Sequence, residues 1–147
     1  EIARRDLEIR GPGEFMGARQ SGEDLLRFAD LNGDTGLLEQ ARHNAEAAGV
    51  AGALELRQGD CRDFMPPPGP GVLVCNPPYG ERIGEREELE QLYADLGAMV
   101  KERCGGWDLW LLSGNPELTG ALRMKASRRI PVSNGGIDCR WLHYAIR

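Results

Sequence analysis

The four cysteines of this 147-residue chain, Cys61, Cys75, Cys104 and Cys139, form no C-x-x-C pair, and its two histidines, His43 and His143, stand far apart. That pattern predicts no metal site and no disulfide framework. It suits reduced, structural thiols in a cytoplasmic protein. No apolar run approaches membrane length and no signal-peptide pattern opens the sequence, so no membrane partner is expected. No internal repeat is visible. The chain opens on Glu1 rather than Met, as a fragment or a processed chain does. Positive charge is not in excess either: the net charge of −5 argues against a wholly basic surface for nucleic acid.

What is present is ordinary in bulk and uneven in detail. Hydrophobic residues make up 41% and charged residues 28%, as in a soluble globular protein of one domain with a real core. From Arg123 to Arg147 there are six basic residues and one acid, whereas from Leu37 to Leu122 there are seven bases and fourteen acids. The basic tail either faces phosphate or is a solvated strand surface.

Periodicity places the elements. Leu7 to Arg10 reads as a short strand before a glycine-rich loop, and "EDLLRFADL" has a short helical pattern. Leu37, Leu38, Ala41, Ala45 and Ala48 recur at helical spacing, with Thr35 as an N-cap and Gly49 as a stop. "ALELRQGD" alternates like a strand and ends in an acid. "MPPPGPG" is a stiff connector, and "VLVC" is apolar throughout, as a strand covered on both faces is. Leu89, Leu92, Tyr93, Leu96 and Val100 give the clearest helix, with acids at its start and Lys101 and Arg103 near its end. "WDLWLL" is another buried strand. Asn115 and Pro116 suit the N-cap and first position of a short helix. The Asn-Gly turn in "NGG" joins two final strands as a hairpin. Helix, strand, strand, helix, strand, helix, strand, strand predicts an α/β fold: a mostly parallel sheet with a C-terminal antiparallel hairpin.

In open α/β sheets, ligands sit beyond the carboxyl ends of the strands. Two ends carry polar chemistry: Asp60 after "LELRQG", and Asn76-Pro77-Pro78-Tyr79 after "VLVC". The Asn76 side-chain oxygen and the Pro77 carbonyl can both accept from one exocyclic NH2 group. Two acceptors out of the amine's plane draw its lone pair away from the ring and make it nucleophilic. Tyr79 can stack on the base, a contact worth about 1–3 kcal/mol, once the base has left its duplex or loop. Asp60, one strand over, can accept from an adenine amino group. The plainer readings are a turn acid for Asp60 and a proline turn with an Asn cap for Asn76 to Tyr79.

"NPPYGERIG", followed by "LEQLYADLG", "GWDLWLLSGNPEL" and "NGGIDCRWLHYAI", resembles the catalytic half of the THUMP-associated ribosomal RNA guanine-N2 methyltransferases of the RlmL type. "ARHNAEAAGV" and "LRQGDCRDF" belong to the same pattern, and the likeness runs from about Ala41 to Arg147. The resemblance implies a Rossmann-like fold and S-adenosylmethionine as cofactor. By it, Asn76, Pro77, Pro78 and Tyr79 hold a guanine of RNA, ribosomal by family, and Asp60 with the Cys61 backbone touches the cofactor adenine. The amine then attacks the sulfonium methyl in line, so positioning does most of the work and no nucleophilic side chain is needed.

The family's first strand, its glycine-rich loop of the D-P-x-C-G-S-G kind and its "G-S-D-I-D-P" segment are not intact here. In the family an acid of that segment holds the cofactor ribose; Asp34 matches the second acid, which the resemblance makes a cofactor-binding residue, and Asn32 replaces the first. No THUMP domain is expected within these residues. "DLEIRGPGEFMGARQSG…LLRFADL…LLEQAR" instead resembles the C-terminal end of RecG-type DNA helicases, over about residues 1–42, with no Walker-type ATP loop. That resemblance implies DNA as a partner and Arg10, Arg19 and Gln20 as remnants of a coupling loop; alone they read as turn and surface residues. The division is residues 1–36 as the helicase-like segment and 37–147 as the methyltransferase-like half-domain, joined as a fusion or chimera.

Three expectations follow. The fold is a partial Rossmann-like methyltransferase sheet whose first strand and glycine-rich loop are missing or replaced. The function is either an RNA methyltransferase domain, defective or not in cofactor binding, or a noncatalytic fusion fragment or nucleic-acid-binding remnant. The gap left by the central strand exposes unpaired edges, so the chain forms a homodimer, swaps a segment or packs its N-terminal portion into the gap. One alternative has the Gly11-x-Gly13-x-x-x-Gly17 pattern, with Asn32 and Asp34 about 20 residues on, imitating a dinucleotide-binding loop.

Overall fold

The computed structural model describes residues 15–20, 26–30, 35–79 and 86–147. The predicted strand at Leu7–Arg10, and Arg10, Gly11, Gly13, Asn32 and Asp34, lie outside the described residues. In chain order the elements are β1 (Phe15–Gln20), β2 (Leu26–Asp30), α1 (Thr35–Ala47), β3 (Leu54–Gln58), β4 (Gly71–Asn76), α2 (Arg86–Arg103), β5 (Asp108–Ser113), α3 (Pro116–Ala121), β6 (Arg128–Asn134) and β7 (Ile137–Ala145).

One seven-stranded sheet contains every described strand, in the order β3-β2-β1-β4-β5-β7-β6. β2 pairs parallel with β3 and β4 parallel with β5, while β7 runs antiparallel to β5 and β6. The α/β fold expected from the alternation of elements is therefore present, but its sheet is mixed rather than mostly parallel, since only the β2–β3 and β4–β5 pairs run parallel. β1 fills the central slot between β2 and β4 and runs antiparallel to both. Of the three expected answers to a missing strand, filling of the gap from the N-terminal portion is the one observed within the chain.

Two expectations about this portion need correction. Within residues 23–31, the stretch read as a short helix, the described part Leu26–Asp30 is a strand. Its neighbours β1 and β3 offer a continuous ladder on both sides, which outweighs the weak local helical pattern. Gly17, the last glycine of the supposed dinucleotide loop, sits inside β1 opposite Phe28 and Val74. The pattern therefore does not form one loop at a strand end.

The core lies between β4, β5 and β7 and the face of α2 and α3. Along β4, buried Gly71, Leu73 and Cys75 alternate with half-buried Val72, Val74 and Asn76. Leu73 and Cys75 join Leu109, Leu111, Leu142 and Tyr144 beneath Leu89, Tyr93, Leu96 and Val100 of α2. The helical spacing seen in the sequence is thus the buried stripe of α2. Acids in its first turn and bases in its last favour the helix dipole. α2 meets α3 at Gly97, where a Cβ would come within 2.4 Å of the Leu122 carbonyl oxygen. The proline-rich connector is anchored by Trp107, whose Nε1 donates to the Gly69 carbonyl at 2.7 Å and whose ring meets Phe64 edge-on. Gly135 and Gly136 close the β6–β7 hairpin with φ of 60° and 86°, the left-handed values a two-residue turn requires. His143 bridges strands by its two ring nitrogens, Nε2 to Asp108 Oδ1 at 2.7 Å and Nδ1 to Ser127 Oγ at 2.6 Å. All four cysteines are free and buried, and no metal-ligand cluster occurs among the described residues. No described helix is long and apolar enough to cross a membrane.

Candidate active site

Strand register sets the rim. Asp30 pairs with Gln58, Phe15 with Asp30, and Phe15 with Asn76. The last residues of β2, β3 and β4 therefore share one row with the first residue of β1. Asp60 follows two residues beyond β3, and Pro77-Pro78-Tyr79 follows β4 directly. The reversal of β1 has a local result: the chain enters the rim at Phe15 instead of leaving it there.

The Asn76–Tyr79 turn is held from two sides. The Tyr93 hydroxyl on α2 donates to the Pro78 carbonyl at 3.1 Å. Asn115 Nδ2 donates to the Tyr79 carbonyl at 3.2 Å, while Asn115 Oδ1 accepts from the backbone N–H groups of Glu117 and Leu118. One side chain thus caps α3 and anchors the turn, a combination proline cannot supply for itself because it lacks an N–H. Among the described residues nothing donates to the Pro77 carbonyl. Asn76 is half-buried at the rim and not turned into the α2-side core. Its Oδ1 accepts from the Tyr79 hydroxyl at 2.5 Å.

Tyr79 is half-buried and lies beside Gly114, where an added Cβ would stand 3.1 Å from the ring. Burial, then the nearby Cys139, pushes the phenol up to about 12, against the amide of Asn134. At neutral pH Tyr79 is therefore a neutral donor. Its hydroxyl thus engages one of the two lone pairs of the Asn76 amide oxygen.

Asp60 stands at the N-cap of a short 3-10 turn, Cys61–Asp63. Its Oδ1 accepts from the Arg62 backbone N–H and from Arg62 Nε, both at 2.8 Å, and its Oδ2 pairs with the other arm of the guanidinium. The Arg62 hydrogen bond holds the carboxyl below its usual range, against partial burial. Arg62 also lies 3.6 Å from Asp95 on α2, and Arg103 ties the same turn through the Arg62 and Phe64 carbonyls. Cys61 is buried beneath Asp60.

The structure brings Asn76, Pro77, Pro78 and Tyr79 together at one strand end, with Asp60 and Cys61 beyond the neighbouring carboxyl ends. Asp34 lies outside the described residues, and Arg19 and Gln20 belong to β1. Sequence reasoning missed three supports: Tyr93, read as core alone; Asn115, read as a cap alone; and Arg62. Only the D-C-R-D spacing, with a base two residues after a turn acid, signalled the last.

The family described as "RMKL-like, methyltransferase domain" matches residues 15–143, including both strands that precede α1. A Synechocystis protein named as an RNA methyltransferase is 38% identical over 115 residues, covering 78% of this chain and 30% of that protein. Ribosomal RNA large subunit methyltransferase K/L of Shewanella frigidimarina is 39% identical over 121 residues, covering 82% of this chain and 17% of its own. The chain thus spans less than a third of either relative. Among solved structures, a methyltransferase complexed with SAH superposes with a TM-score of 0.73 at 26% identity, covering 81% of this chain and 31% of the other.

Proposed function

The chain belongs to the RMKL-like methyltransferase domain family, and from that premise we propose that it is the catalytic part of an S-adenosylmethionine-dependent RNA methyltransferase acting on the N2 amino group of a guanine in ribosomal RNA. The relatives named as RNA and ribosomal RNA methyltransferases support the substrate class. The observation that carries the guanine amine is the pair of acceptors at the end of β4, the Asn76 amide oxygen and the Pro77 carbonyl, to which no described residue donates.

The residues present suit the cofactor at its adenine end. Adenine offers an N6 donor beside an N1 acceptor. An ionised carboxylate followed by a backbone N–H, as at Asp60 and Cys61, is the complementary pair. The fork from Arg62 occupies that carboxylate, but the pair is exposed, and exposed ion pairs are weak enough to yield. The SAH complex of the superposed methyltransferase supports the same cofactor. When bound, S-adenosylmethionine supplies an electrophilic methyl group on sulfonium. The chain's own residues do the rest by position. Asn76 Oδ1 and the Pro77 carbonyl receive the two amine hydrogens and direct the nitrogen lone pair out of the base plane. Tyr93 and Asn115 keep the turn from drifting. Tyr79 gives its ring to the base. Alignment of this kind is where most of the rate comes from in a direct displacement.

A second reading is favoured by one observation: β1 is reversed, so no strand-to-loop exit at the rim supplies the usual cradle from that position. In that reading the chain is a folded, noncatalytic fusion remnant, with DNA contacts from a helicase-related N-terminal segment. Calorimetric titration with S-adenosylmethionine and S-adenosylhomocysteine separates the two. Micromolar binding supports the enzyme; no binding at millimolar ligand leaves the remnant.

A further inference from the structure

A cavity of about 670 Å³ opens between α3 and the β6–β7 hairpin, away from Asp60. We propose that it is a subsite for the nucleotide next to the target base in the RNA strand, with the phosphodiester on Arg129 and Arg140. The proposal rests on the RNA methyltransferase reading and adds to it where the strand runs.

Register places the two arginines together. Pro131 pairs with Arg140 and Arg129 with Leu142. Arg129 and Arg140 are therefore diagonal neighbours on one face of adjacent strands, and both line the cavity. Both are exposed, and neither forms an ion pair among the described residues. A guanidinium fork with no carboxylate partner suits a phosphate oxygen pair. Met124, Ala126 and Leu142 line the same cavity and offer an apolar floor to a base or sugar. Asp138 also lines it, so the lining keeps one net positive charge, enough to favour a single phosphodiester rather than a polyanion.

The second observation is the shared wall. Gly114 lines the cavity, and it is also the residue whose missing Cβ leaves room for the Tyr79 ring. One glycine thus separates the cavity from the ring that stacks on the target base. A strand whose base is held at Asn76 has its neighbouring nucleotide within reach of the arginine fork.

The test uses the whole chain and a short single-stranded guanine-containing RNA, with Arg129→Ala/Arg140→Ala compared against Arg123→Ala/Lys125→Ala. The control removes two exposed bases that do not line the cavity. The cavity variant should bind RNA about ten-fold more weakly, and its log–log salt slope should fall by about 0.7, as the loss of one single-strand phosphate contact requires. The control should change affinity by no more than about two-fold. Arg129→Lys/Arg140→Lys, which keeps the charge, should recover part of the affinity and show that the alanine variant had not simply unfolded. Unchanged affinity and slope in the cavity variant, or an equal loss in the control, overturns the subsite. S-adenosylhomocysteine affinity is measured alongside. Its absence in the wild-type chain defeats the methyltransferase reading, whereas its presence with no effect of the arginines defeats the subsite alone.

Discussion

The two polar strand ends are built on opposite plans. The turn after β4 is held by partners far away in sequence, Tyr93 on α2 and Asn115 before α3, and it keeps the Pro77 carbonyl free of described donors. At the end after β3 the acid itself is satisfied from within, since Asp60 closes on Arg62 two residues later, while Arg103 of α2 holds the carbonyls of the turn. The first arrangement fixes geometry and engages its amide oxygen through a single neutral donor, Tyr79. The second satisfies its own acid and must open before a ligand can use it. An end whose position depends on the packed core is preorganised; an end whose charge is spent locally binds in competition with itself.

The largest effect that sharpens this contrast lies at Asn76. Asn76→Ala should lower methyl transfer to RNA by about 10²–10³-fold, the scale for losing one preorganised polar contact. Its affinity for S-adenosylhomocysteine should stay within about two-fold of wild type. Transfer near the wild-type rate would remove Asn76 from the chemistry. Tyr79→Ala should weaken RNA binding by roughly 5- to 150-fold through lost stacking. Tyr79→Phe, which keeps the ring and releases Asn76 Oδ1, should bind RNA at least as well as wild type.

Asn115→Ala should cost about 1 kcal/mol of stability through the α3 cap and also loosen Tyr79. Asn115→Ser keeps a capping oxygen but has no amide N–H for the Tyr79 carbonyl. It should melt near the wild-type temperature and still lose methyl transfer. If both variants are fully active, the tie to Tyr79 is structural only. At the other end, Arg62→Ala should raise S-adenosylhomocysteine affinity, by no more than about five-fold, because an exposed ion pair is weak. A fall in affinity would mean that Arg62 orients Asp60 rather than competing for it.

The smallest effect is one of pH. The folded Tyr79 phenol ionises at about 12 against an ordinary 10.0. Its contribution to stability is whole below pH 10 and declines as pH rises from 10 toward 12, because the unfolded chain loses the proton first. Burial raises Tyr144 in the same direction. Thermal melts across that window should fall less steeply for Tyr79→Phe than for wild type; parallel curves would contradict the assignment.

Much of this was legible in the residues. The stripe from Leu89 to Val100, the Asn115-Pro116 helix start and the double-glycine hairpin each follow from a local rule, and each stands in the structure as expected. β2 was not legible, since Leu26 to Asp30 carries no period strong enough to overrule the pairing offered by β1 and β3. The direction of β1 was not legible either, because no side chain records which way a strand runs. At the site, the residue types of Asn76 to Tyr79 announced the turn. The bond from Tyr79 to Asn76 depends on a backbone path through two prolines that composition does not specify, and Arg62's grip on Asp60 appears only once Cys61–Asp63 closes as a turn.

The reversed strand also bears on how the sheet comes together in time. A parallel neighbour needs a crossover before its ladder can begin, whereas β1 meets β2 across residues 21–25 alone. Such hairpins close in about 1–10 μs, while pairing of β1 with β4 must wait for residues more than fifty positions downstream. The middle of this sheet is thus occupied by a local hairpin, second in closeness only to β6–β7, a piece able to form early and be captured whole when β4 arrives.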